Sequence, residues 1–194
     1  MYSICLISCV FLLPSVYAQD ISITLNNSSF ESHSREVTQL RGWESCGYHS
    51  TPDILPGSWG VYQQPTDGYT YIGLISREDN TWEKITQKLS TPLNPKKCYK
   101  FSVALSRSVA YAGYDKPLRL RVWAGHKPCE RKQLLANSPT IDHSDWMEYT
   151  FMFSPRENYP YIVIECYYKE STMIPYRGNI LIDGISPFMA CSRA

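Results

Sequence analysis

From position 21 onward the chain alternates apolar and polar residues in short runs, each broken by Pro, Gly, Asn or Asp. A period of two sends successive side chains to opposite faces of an extended strand, so the pattern predicts strands rather than helices. Strands are expected near 21–26, 58–63, 69–76, 82–89, 98–107, 117–125, 146–154, 160–168 and 179–186. Short strands at this spacing predict an all-β fold, a β-sandwich or a barrel. Only 130–136, Glu-Arg-Lys-Gln-Leu-Leu-Ala, reads as helix, of two turns at most. There is no internal repeat or linker, so one domain over 19–194 is expected.

The alternation also sorts residues by face. Tyr99, Phe101, Val103 and Leu105 share one side of their strand, as do Leu118, Leu120, Val122 and Ala124, and Ile162, Ile164 and Cys166. These sides make the core. The opposite sides carry Arg119, Arg121 and Trp123 on one strand and Glu165 and Tyr167 on another, with Trp82 at the rim. A sugar site needs flat apolar surfaces for the ring and polar groups for its hydroxyls. This face supplies both, and Arg77, Asp79, Trp43 and Tyr48 are loop residues able to join it. The competing reading is that such aromatics cap a core and such Arg–Glu pairs cross between strands.

Composition narrows the function classes. Among 194 residues, 19 Lys and Arg balance 18 Asp and Glu, a net charge of +1 that leaves no basic footprint for nucleic acid. Residues 1–18 hold no charged side chain, and the apolar run 4–13 has signal-peptide length, followed by Val16-Tyr17-Ala18. Cleavage before Gln19 is expected. No later stretch is long and apolar enough to span a membrane, so the expected location is secreted, periplasmic or cell-surface. Beyond residue 18 remain Cys46, Cys98, Cys129, Cys166 and Cys191, which in an oxidising compartment suggests two disulfides and one thiol. If the strands 98–107 and 117–125 pair, Cys98 meets Cys129, and Cys46 is left for Cys191. Cys166 has core parity and reads as a buried thiol.

Three sets of residues carry a resemblance. Asn27-Ser28-Ser29-Phe30-Glu31, the stretch 66–89 from Thr-Asp-Gly-Tyr to Gln-Lys-Leu, and Cys98-Tyr99-Lys100-Phe101-Ser102 with Asn179-Ile180-Leu181-Ile182-Asp183 stand in order along the chain. Together they resemble secreted jelly-roll carbohydrate-binding modules, galactose-binding-like domains of the kind found in Bacteroidota envelope proteins. The resemblance implies an all-β, two-sheet antiparallel jelly-roll sandwich and non-catalytic binding of a polysaccharide or glycan. It also implies a structural Ca2+ held by Glu31 and Asp183, although Gly184 stands where many relatives have a second acid. Alternatively, those two acids satisfy backbone donors or pair with a Lys or Arg. A structural or adhesive envelope protein would use the same face against a protein partner. A glycoside-cleaving enzyme would need two carboxylates across a cleft, with Glu165 and Asp79 or Asp115 as candidates. No nucleophile elbow, zinc-binding helix, phosphate loop or Cys-x-x-Cys pair is present, and His33, His49, His126 and His143 are scattered, so an enzyme is not expected.

Overall fold

A computed structural model describes residues 22–32, 40–47 and 50–191. The expected signal segment, His33, Tyr48 and His49 lie outside these residues. In chain order the strands are β1 (Ser22–Ile23), β2 (Glu44–Ser45), β3 (Asp53–Leu55), β4 (Tyr71–Ser76), β5 (Lys84–Leu93), β6 (Cys98–Ser106) and β7 (Lys116–Pro117). They continue with β8 (Arg119–Gly125), β9 (Gln133–Asn137), β10 (Met147–Phe153), β11 (Tyr159–Tyr167), β12 (Gly178–Asp183) and β13 (Phe188–Cys191). Two sheets result. One runs β1-β13-β6-β12-β4-β3, with β10 on the far edge of β6 and β7 beside β12; the other runs β2-β5-β11-β8-β9. The fold is the two-sheet jelly-roll sandwich, and the described residues contain no helix.

The core lies where the period-two reading puts it. Tyr99, Phe101, Val103 and Leu105 of the first sheet are buried against Leu120, Val122, Ala124, Ile162, Ile164 and Cys166 of the second. Phe101 and Phe188 pack with ring centroids 5.2 Å apart. Each such side chain removed from water stabilises the fold by about 1.5–3 kcal/mol. A second, smaller apolar cluster covers the other face of the first sheet: Leu55, Tyr71, Ile75 and Leu181 meet Val61 and Tyr111 from the loops above. Gly73 makes this possible, because a Cβ there would sit 2.3 Å from the Tyr111 hydroxyl.

Three expectations are corrected. No strand forms over 58–63; Gly57 and Gly60 take left-handed backbones and Gly57 N–H donates to Val61, so the segment turns back over β3. The expected helix at 130–136 is instead edge strand β9. A register shift against β8 turns both Leu135 and Ala136 inward, and that bulge erases the period-two signal. The cysteines pair as Cys46–Cys129 and Cys98–Cys191, not as Cys98–Cys129 and Cys46–Cys191. The expected pairing required β6 beside β8, but these strands lie in different sheets. Cys98 faces Cys191 directly across β6 and β13. Cys166 is free and buried.

Candidate functional site

The face of the five-stranded sheet expected to bind ligand is assembled around one carboxylate. Across β8 and β11, Trp123 pairs with Val163, Arg121 with Glu165 and Arg119 with Tyr167. The Glu165 side chain is fully buried, and both its oxygens are taken. Oε1 accepts from Arg121 at 2.6 Å and from the Trp123 indole at 2.7 Å. Oε2 accepts from the Trp82 indole at 2.8 Å and from Arg131 at 2.9 Å. The aromatic faces are occupied as well. Arg121 lies 3.4 Å over the Tyr167 ring, Arg131 sits between Trp82 and Trp123, and Tyr167 meets Trp82 edge-on. The carboxylate oxygens and the ring faces of this cluster are thus engaged by its own members, while the buried Arg121 Nε has no hydrogen-bond partner among the described residues.

The structure therefore brings together Arg121, Trp123, Glu165, Tyr167 and Trp82, and adds Arg131, which the helical reading of 130–136 had hidden. Arg119 stands at its margin, donating to the Tyr168 carbonyl and lying 3.7 Å from Glu170. With four donors on its carboxylate, Glu165 has no capacity to act as one of two acids across a cleft with Asp79 or Asp115. Trp43 is removed from the candidates too: it is buried, packs on Phe30 and donates its indole N–H to the Asn27 carbonyl.

Arg77 lies elsewhere, in a cleft of about 390 Å³ above β3 and β4, lined by Asp53, Trp59, Glu83, Tyr111, Tyr114 and Arg177 among others. The loop preceding β7 roofs it and is held by Asn179 of β12, which is fully buried. Its amide donates to the Ser108 and Tyr114 carbonyls and its oxygen accepts from Ser108 N–H. The loop after β3 supplies Trp59. That ring is 57% exposed, yet its indole N–H is fixed to Asp53 Oδ1 at 2.8 Å and its backbone sits at φ 56°. Bulky residues adopt this region only when the surroundings impose it. Asp53 Oδ2 accepts from the Tyr111 hydroxyl at 2.5 Å.

The carboxyls here are unusual. Burial raises Asp53 above the ordinary aspartate range, against hydrogen bonds from Tyr111 and Trp59 that pull it down. Glu83 is pushed up to about 8, first by burial and then by the charge of Asp53, although Arg77 at 2.8 Å opposes the shift. Its other oxygen accepts from Ile75 N–H. Sequence reasoning missed Asp53, Trp59, Glu83 and Tyr111. A signal did exist, since an aromatic between glycines in Pro56-Gly57-Ser58-Trp59-Gly60 reads as a displayed turn residue.

Glu31 and Asp183, the expected calcium pair, grip the same turn. Glu31 Oε1 accepts from the backbone N–H groups of Tyr69 and Thr70. Asp183 Oδ2 accepts from Thr66 N–H, the Thr66 hydroxyl and Asp67 N–H. Asp183 Oδ1 is buried with no partner, and burial raises this carboxyl. Among the described residues no group of three or more His, Cys, Asp or Glu side chains could hold a metal. A hard cation would thus find the second oxygens of Glu31 and Asp183 here and would need backbone carbonyls or water for the rest.

Comparisons with known proteins add two kinds of likeness. The family model described as HpiC1-like, HpiC1 cyclase, matches residues 21–164. A solved cyclase from Fischerella sp. TAU is 15% identical, with a TM-score of 0.57 over 90% of this chain and 99% of that one. The CBM22-1 xylan-binding domain of Paenibacillus barcinonensis Xyn10C is 13% identical, with a TM-score of 0.50 over 83% of this chain and 94% of its own. At such identities the likeness is one of fold. No curated protein matches the chain.

Proposed function

The chain belongs to the HpiC1-like family, and we propose from the geometry of its site that it binds a carbohydrate non-covalently in the Trp59 cleft, breaking no bond. Trp59 carries this reading. A large ring held out to solvent, yet locked in one orientation by Asp53, is a platform for the C–H face of a sugar. Packing does not require that exposure. Behind the ring the cleft is lined by Asp53, Arg77, Glu83 and Arg177, of which Arg177, among the described residues, has its N–H donors free to orient a ligand oxygen. The carbohydrate-binding modules of like fold support the same reading. The two disulfides suit an extracellular setting, where glycans are met. The Glu165 face serves as scaffold in this reading, because its acceptors and rings are already engaged. A glycan array followed by titration tests it: saturable binding that Trp59→Ala removes supports the proposal, and binding that survives this substitution contradicts it.

Glu83 favours a second reading, acid catalysis. A carboxyl that keeps its proton to about pH 8 beside an open cleft can act as a general acid. Cyclase is also the word that describes both the family and the Fischerella structure. Chromatography and NMR of the ligand after incubation separate the two. An isomerised or cleaved product that Glu83→Gln abolishes supports catalysis, whereas unchanged ligand supports binding alone.

Calcium forms part of the proposal. Asp183 through Oδ1, with Glu31 on the other side of the 66–70 turn, would hold the ion, and it would supply only charge neutralisation at that end of the sheet.

A further inference from the structure

Arg177 separates two hollows. With Arg77 and Tyr114 it lines both the Trp59 cleft and an adjoining hollow of about 330 Å³ that also contains Glu78 and Asp79. Its guanidinium lies 4.3 Å over the Tyr114 ring, beside Gly113, whose backbone is left-handed at φ 84°. Stacking of this kind fixes the plane of the group while leaving its N–H donors at the edge. Every other arginine at the two candidate sites has an oxygen partner: Arg77 has Glu83, Arg119 has Tyr168 and Glu170, and Arg121 and Arg131 have Glu165. Among the described residues Arg177 makes no ion pair and no side-chain hydrogen bond.

Resting on the binding reading above, we infer that the ligand is an acidic glycan, with a uronic-acid ring seated on Trp59 and its carboxylate paired with Arg177. A planar guanidinium and a carboxylate match in a two-bond fork, a geometry that a neutral hydroxymethyl group cannot reproduce. The charge inside the cleft agrees. Two guanidinium groups face two carboxyls there, and one of these, Glu83, holds its proton at neutral pH. Asp53, the other, has both oxygens engaged by Trp59 and Tyr111, so it presents little free acceptor to the ligand. The exposed acids Glu78 and Asp79 lie beyond the Arg77–Tyr114–Arg177 ridge, and Asp79 is turned onto Thr81. Their position sets the carboxylate on the Trp59 side of the ridge.

The test is calorimetric titration of the full chain with oligogalacturonate and, at equal chain length, with neutral xylan oligosaccharide. The acidic ligand is expected to bind about tenfold tighter or more. The preference is expected to shrink when NaCl is raised from 50 to about 500 mM. Arg177→Ala, at an exposed position, is expected to leave the fold intact and to equalise the two ligands, with Arg177→Lys intermediate. If the neutral ligand binds as tightly and remains sensitive to Trp59→Ala, the acidic specificity is overturned and the binding site stands. If neither ligand binds, both are overturned.

Discussion

Replacing Glu165 by Gln keeps the size of the side chain and removes its charge. In the native chain four donors reach its two oxygens at distances between 2.6 and 2.9 Å. Glutamine offers one acceptor oxygen and points an NH2 group at the remaining two donors, so two bonds are lost and two donors are opposed. Removing one partner of a buried ion pair costs about 3–5 kcal/mol, because the other charge stays behind unpaired. Arg121 cannot escape, with its side chain 15% exposed, whereas Arg131, 37% exposed, can turn to solvent. That places the loss near the lower end, at about 3 kcal/mol. For a domain of this size the corresponding fall in Tm is about 6–12 °C. Urea unfolding with both disulfides intact measures it, and Trp123→Phe, which removes a single donor, should cost about 1 kcal/mol in the same assay. A loss below about 1 kcal/mol for Glu165→Gln would refute the reasoning, since the cluster would then not be a stabilising element of the fold.

Three further outcomes are expected. Peptide mapping without reduction should recover Cys46 joined to Cys129 and Cys98 joined to Cys191, and Cys191→Ser, opening a link across 93 residues, should cost about 4–5 kcal/mol on the chain-entropy account. Because the folded chain holds a proton on Glu83 that the unfolded chain releases, stability should fall as pH rises from about 4.5 to about 8. Glu83→Gln should flatten that slope in a Tm series, and an unchanged slope would contradict the assignment. Millimolar CaCl2 should raise Tm relative to EDTA and lose its effect in Asp183→Asn; identical curves with and without the ion would remove calcium from the account.

Strand parity was the legible part of this sequence. The core sides of β6, β8 and β11 follow from alternation alone, and so does the gathering of Arg121, Trp123, Glu165 and Tyr167 on one face, because register-paired strands share a face. Whether the Glu165 carboxylate is left open depends on Arg131, which comes from the loop ahead of the bulged edge strand β9, where no periodicity marks it. The cleft was hidden for the same reason. Trp59, Asp53 and Arg177 meet because two long loops fold back over the first sheet, anchored by Asn179 and by Tyr111 lying on Gly73. Contacts between segments so far apart in the chain leave no local pattern. The disulfide partners failed on sheet membership rather than on proximity within a strand pair: β6 and β8, separated in sequence only by the two-residue β7, belong to different layers.

Titration of a glycan ligand into the wild-type chain, Trp59→Ala and Trp123→Ala, followed by the change in tryptophan fluorescence or by heat, addresses the location of binding most directly. Trp123→Ala is expected to bind like wild type once its folding is confirmed, and Trp59→Ala to show no saturable binding. Binding lost in Trp123→Ala and kept in Trp59→Ala would return the site to the face of the five-stranded sheet.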